Sequence, residues 1–112
     1  MISNEQLQQM IFQGESLTVE FKSDRRRISD REIYEEVVAM ANASGGTILI
    51  GVEDNGTVTG SQARHDRTTD PIKLQSAIFN NTVPNINTRV QVISMDAGPV
   101  IAIQVDSYPE PC

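Results

Sequence analysis

Apolar and polar positions alternate along this chain with periods that change several times. Between Ser3 and Gln13, Leu7, Met10 and Ile11 recur at helical spacing, which predicts a short opening helix. Ser3 and Gln6 suit a capping box at its start, and Gly14 suits its stop. From Thr18 to Lys22 the period drops to two. Val19 and Phe21 share one face and Thr18, Glu20 and Lys22 the other, as in a half-buried strand. A second helix follows a charged loop over Ser23 to Arg27. Ser29 and Glu32 form its capping box, Asp30 favours its dipole, and Ile33, Val37, Met40 and Ala41 make its apolar stripe. Gly45-Gly46 ends it, because a left-handed residue is easiest for glycine.

Thr47 to Val52 is nearly continuous apolar sequence, the pattern of a central strand covered on both faces. Asp54-Asn55-Gly56 signals a tight turn into a short strand near Thr57 to Thr59. Ser61 to Thr69, with Arg64, His65 and Arg67, reads as an exposed polar loop. Asp70-Pro71 predicts an N-cap with proline at the first helical position. Ile72, Leu74, Ala77, Ile78 and Phe79 carry this third helix to about Asn81, closed by Asn80-Asn81 and Pro84. Arg89 to Met95 and Pro99 to Val105 form two strands around Asp96-Ala97-Gly98.

The predicted order is α-β-α-β-β-α-β-β, which implies an α+β fold. We expect a mixed, mainly antiparallel sheet with about three helices on one side. Phe12 and Tyr34 are expected in the core rather than as stacking platforms for bases, and Met10, Met40 and Met95 as core filler. The strand at Pro99 to Val105 is expected at an exposed, unpaired edge. Residues 1–106 then form one domain. Residues 107–112, with two prolines, read as a tail leading toward a further C-terminal part, as if the chain were cut from something longer.

Composition narrows this picture. A chain of 112 residues holds at most one modest core. With 38% hydrophobic and 21% charged residues it has the balance of a folded domain rather than a disordered one. The longest apolar run, Ile48 to Val52, is far too short to span a bilayer, and no secretory signal opens the chain. Cys112 is the only cysteine, so no intrachain disulfide or cysteine-metal cluster is available, and a cytoplasmic setting is expected.

Net charge is −6, from 15 acidic and 9 basic side chains, which makes general duplex binding unfavourable. The basic residues are nevertheless concentrated: Lys22, Arg25, Arg26, Arg27 and Arg31 fall within one short stretch. Any polyanion contact should therefore be local. The same arginines also suit a solvated loop whose charges offset Asp24, Asp30 and Glu32.

Two blocks carry the candidate chemistry: Gly14-Glu15-Ser16 through Glu20-Phe21-Lys22, and Ala41-Asn42-Ala43-Ser44-Gly45-Gly46 through Gly51-Val52-Glu53-Asp54-Asn55-Gly56. They place Glu15, Glu20, Lys22, Glu53 and Asp54 at element ends or on one strand face. Such a set could hold a divalent metal, grip a polyanion, or form a solvated rim. The glycines follow a helix and lack the spacing of a phosphate loop, which disfavours nucleotide binding. His65 has no partner cluster and reads as a surface histidine.

These blocks, in this order, resemble the Schlafen AlbA-like domain family, also described as a DNA-binding or divergent AAA domain. The resemblance covers nearly the whole chain, with Pro71 to Val105 the less specific part. It implies a nucleic-acid-binding N-terminal module of a bacterial transcriptional regulator, with DNA ahead of RNA as partner and no membrane. It also implies a further C-terminal domain. Schlafen nucleases use two glutamates spaced five apart and a later aspartate. By that resemblance Glu15, Glu20 and Asp54, or less favourably Glu53, would hold Mg²⁺ or Mn²⁺, with Lys22 stabilising phosphate charge in a ribonuclease-like site. The bland alternative makes Glu20 and Lys22 an exposed pair and Asp54 a turn residue. A third reading is a non-catalytic protein-interaction or dimerisation module, including a homodimer. Family members usually continue into another strand with a basic, glycine-containing segment, which is absent from these residues.

Overall fold

The computed structural model describes residues 1–64 and 67–108. Helix α1 spans Asn4–Gln13, strand β1 Val19–Lys22, helix α2 Asp30–Asn42 and strand β2 Gly46–Ile50. Helix α3 spans Pro71–Asn80, followed by strands β3 Thr88–Met95 and β4 Gly98–Val105. The three predicted N-caps form, although the Ser29–Glu32 box is present only in its Ser29 half. Ser3 and Gln6 make a reciprocal capping box, the Ser29 hydroxyl accepts from the Glu32 amide, and Asp70 accepts from Ile72 and Lys73 ahead of Pro71.

The four strands lie in the order β1-β2-β4-β3. β1 and β2 are parallel, while β4 runs antiparallel to both β2 and β3. The sheet is thus mixed and mainly antiparallel, within an α+β fold. The expected strand at 57–59 reduces to a single bridge between Val52 and Val58. Strand β4 is interior rather than an exposed edge, because both β2 and β3 pair with it. Its near-continuous apolar sequence, Val100 to Ile103 and Val105, is what a doubly covered strand requires.

Side chains of the two inner strands alternate between two cores. Ile48, Ile50, Ile101 and Ile103 face Ile33 and Val37 of α2 and Leu74 and Ile78 of α3. Leu49, Val100 and Ala102 pack with Phe21 and with Leu7 of α1. The helices therefore lie on both sides of the sheet, not one, because the alternation leaves an apolar set on each face to be covered. Tyr34 and Val38 pack partly buried against the first cluster, and Met10 and Met95 against the second. Phe12 is not a core residue: it is 89% exposed on the flank of α1, outside the Leu7-Met10-Ile11 stripe.

Both sheet edges are capped by side chains. On β1, the Glu15 carboxylate accepts the Phe21 amide at 2.8 Å, and Ser16 pairs with Val19. On β3, the Gln75 side chain accepts the Val90 amide at 2.8 Å and Asn4 donates to the Ser94 carbonyl at 3.2 Å. Some outward N–H and C=O groups that would otherwise recruit another strand are thus occupied locally. No helix among the described residues is long and apolar enough to cross a membrane.

Candidate nucleic-acid interface

The register sets the acidic edge. Glu20 pairs with Ile48 and Lys22 with Ile50, so Glu20 and Lys22 share the face that α2 covers, at its open margin. Lys22 Nζ lies 3.9 Å from Glu20 and 3.0 Å from Glu36 on α2. Burial alone would lower the Lys22 pKa, but the hydrogen bond and charge of Glu36, with Glu20 and Glu32, hold it above the usual lysine value. The Glu20 carboxyl is pushed up, first by burial and then by Glu36; Glu15 and Asp54 add to the push and Lys22 opposes it. Glu36, Glu15 and Asp54 thus add negative charge around Glu20, while the Lys22 ammonium pairs with Glu36 and Glu20.

Glu36 was not singled out by sequence reasoning. Its signal was present: it stands three residues after Ile33 and four before Met40, on the margin of the apolar stripe. Glu15 is engaged differently from expectation, as the edge cap on the Phe21 amide. Asp54 sits exposed in the turn before Gly56. Glu53 accepts from the Thr59 hydroxyl at 2.5 Å. That bond and one from Ser23 hold the Glu53 carboxyl below its usual value, with burial opposing and Arg25 assisting. Among the described residues no three His, Cys, Asp or Glu side chains converge into a group that could hold a metal ion. The Lys22 ammonium is the cation that pairs with Glu20 and Glu36. Glu15, Glu20 and Asp54 as placed therefore do not fit a shared divalent metal.

The basic stretch is divided by the fold. Arg31 lies in the first turns of α2, 3.7 Å from Glu35. Arg25, Arg26 and Arg27 lie exposed between β1 and α2, and no carboxylate among the described residues is within ion-pair distance of them. The loop that carries them has a polar interior. Asp24 is fully buried, and so is Arg64, which the sequence placed on an exposed loop. Arg64 Nη1 donates to Asp24 Oδ2 at 2.7 Å and Nη2 to Oδ1 at 2.8 Å, a bidentate pair spanning forty residues of sequence. His65 lies outside the described residues.

Asp24 organises more than its arginine. Its Oδ1 accepts the Ile28 amide at 2.9 Å and its Oδ2 the Gln62 amide at 2.6 Å. Gln62 Nε2 donates to the carbonyls of Asp24 and Arg25, at 2.7 and 3.1 Å. Arg64 Nη2 also donates to the Ile28 carbonyl at 2.8 Å. The loop is closed at Asp24 and Ile28, and three consecutive guanidinium groups stand at its tip. Nothing in the local sequence signalled the Asp24–Arg64 pairing, since both residues sit in polar stretches far apart in the chain.

A shallow groove of about 1310 Å³ runs along α1, lined in part by Gln6, Gln9, Phe12, Thr47 and Gln104. It contains none of the residues at the acidic edge or the arginine tip.

Comparison with known proteins adds the family. Residues 15–112 match the family model described as Schlafen, AlbA_2. No curated protein matches the chain. Among solved structures, the DIP2311 protein from Corynebacterium diphtheriae superimposes with a TM-score of 0.67 at 21% identity, over 96% of this chain and 22% of that one. The N-terminal domain of an ATP-dependent DNA helicase RecG-related protein from Nitrosomonas europaea superimposes with a TM-score of 0.59 at 20% identity. That match covers 96% of this chain and 74% of the other. At these identities the likeness is one of fold. This chain spans about a fifth of the length of the Corynebacterium protein (22%).

Proposed function

The chain belongs to the Schlafen AlbA_2 family, and from that premise we propose that it is a nucleic-acid-binding module that meets the phosphate backbone through Arg25, Arg26 and Arg27. The observation that carries this reading is the tip itself: three exposed guanidinium groups on a loop fixed from within by the buried Asp24–Arg64 pair. In a chain of net charge −6, binding to a polyanion must use a local positive field, and this is where the exposed cations gather. Backbone contact of this kind positions a protein on nucleic acid without reading sequence. DNA is preferred to RNA here because the Nitrosomonas relative's name refers to a DNA helicase. The wider role, as the N-terminal part of a larger regulator, goes with the short share of the Corynebacterium protein that this chain spans.

Metal-dependent cleavage by Glu15, Glu20 and Asp54 is the weaker reading, since Glu20 shares Lys22 with Glu36 and Glu15 is tied to the Phe21 amide. Amide chemical-shift mapping with a short DNA duplex and a short single-stranded RNA tests the proposal. Shifts concentrated at residues 23–28, with larger changes for DNA, are expected. Shifts confined to β3 and α3, or none at all, would refute it.

A further inference from the structure

Resting on that reading, we infer that Arg64 is a positioning residue for the nucleic-acid contact: it never touches the ligand, yet it holds the loop that presents Arg25, Arg26 and Arg27. Its side chain is fully buried, so no phosphate reaches it. Its hydrogen bonds run to Asp24 and to the carbonyls of Gln62 and Ile28, so they fix both ends of the loop and the segment beneath it. One of the chain's basic residues is thus used inside the protein rather than on its surface.

The geometry favours shape over stability as the purpose of this pair. A buried ion pair gains little over apolar residues of similar volume, because desolvation offsets the attraction. Here Arg64 Nε also finds no partner among the described residues, a further cost of burying the group. What an apolar replacement could not supply is the directed set of hydrogen bonds that closes the loop between Asp24 and Ile28. Three arginines ordered in advance lose less freedom on meeting a phosphate backbone than three on an open loop.

Two variants test this: Arg64→Lys, which keeps the charge but loses the fork, and Asp24→Leu with Arg64→Met, which leaves no charge buried. The readouts are ¹⁵N order parameters of the Arg25, Arg26 and Arg27 amides, protection of the β2 and β4 amides, and affinity for a labelled DNA duplex across a salt series. We expect lower order at the tip, unchanged protection in β2 and β4, and binding weaker by about threefold to tenfold. The salt slope should stay as in the wild type, whereas Arg26→Ala should reduce it by about one. A slope reduced by Arg64→Lys would make Arg64 a direct contact and overturn the inference. Unchanged tip order, or protection lost throughout the sheet in both variants, would also overturn it. If the wild type binds no duplex, the functional reading fails, and the order parameters still decide whether Arg64 holds the tip.

Discussion

Lys22 is bound more closely by Glu36 than by Glu20, at 3.0 Å against 3.9 Å. The lysine nearest the arginine tip is therefore restrained by a helix and not by its strand neighbour. Removing that restraint should strengthen binding to a polyanion, because Lys22 becomes available and one repelling carboxylate is lost. Glu36→Gln is expected to raise duplex affinity by about twofold to threefold at low salt, with the gain fading at high salt as exposed charges are screened. Fluorescence anisotropy at two ionic strengths checks this.

The Asp24–Arg64 pair predicts sensitivity to acid. Burial alone would raise the Asp24 carboxyl, but the Arg64 guanidinium and the Gln62 and Ile28 amides hold it below its usual value. A carboxyl whose pKa is lower folded than unfolded contributes stability above the unfolded value. That contribution is lost as pH falls through the folded value. Asp24→Ala should cost about 3–5 kcal/mol at neutral pH, since it leaves the guanidinium buried and unpaired. Urea unfolding from pH 7 downward should show the gap between variant and wild type narrowing below about pH 4.

Glu20 should behave in the opposite sense. Its carboxyl is raised by burial and by Glu36, so its ionised form is a cost to the folded state at neutral pH, relieved as pH falls through the raised value. Glu20→Gln is expected to leave stability unchanged or to raise it by up to about 0.5 kcal/mol at pH 7, a small effect for a partly solvated group. The gain should vanish in acid. Thermal melts at several pH values measure it.

Much of the local structure was legible from residue order. The Ser3, Ser29 and Asp70 caps and the Leu7 and Ile33 stripes are set by neighbours within a turn or two, and they form, the Ser29–Glu32 box in its Ser29 half alone. What escaped was contact between distant segments. No periodicity reveals that β4 inserts between β2 and β3, or that an arginine at 64 turns inward to an aspartate at 24. Phe12 was misplaced because an aromatic residue beside an apolar stripe reads as part of it, although helical spacing sets it on the flank. The candidate site divided in the same way. The strand face shared by Glu20 and Lys22 follows from alternation, whereas the Glu36 partnership and the Glu15 cap depend on how α2 and the β1 edge are placed.

At Gly46 two segments approach too closely for any side chain. Gly46 has φ of +142°, and a Cβ there would collide with the Thr18 carbonyl oxygen, which accepts the Thr47 amide at 2.8 Å. Gly46→Ala should therefore force β1 and β2 apart and cost more than about 2 kcal/mol. Gly14, at φ of +85° and ψ of −179° with open space around it, should lose about 1–3 kcal/mol on the same change, from backbone strain alone. Paired denaturant titrations of the two variants distinguish a clash from backbone strain alone.

The central claim is that the exposed tip between β1 and α2 is the nucleic-acid contact. Its most direct test is an anisotropy titration of a labelled DNA duplex with the wild type and with Arg25, Arg26 and Arg27 all changed to alanine, beside a thermal melt of each. The account predicts binding weakened by at least about tenfold, a salt slope smaller by about two to three, and an unchanged melting temperature. Equal affinity and equal salt slope in the two proteins would contradict it.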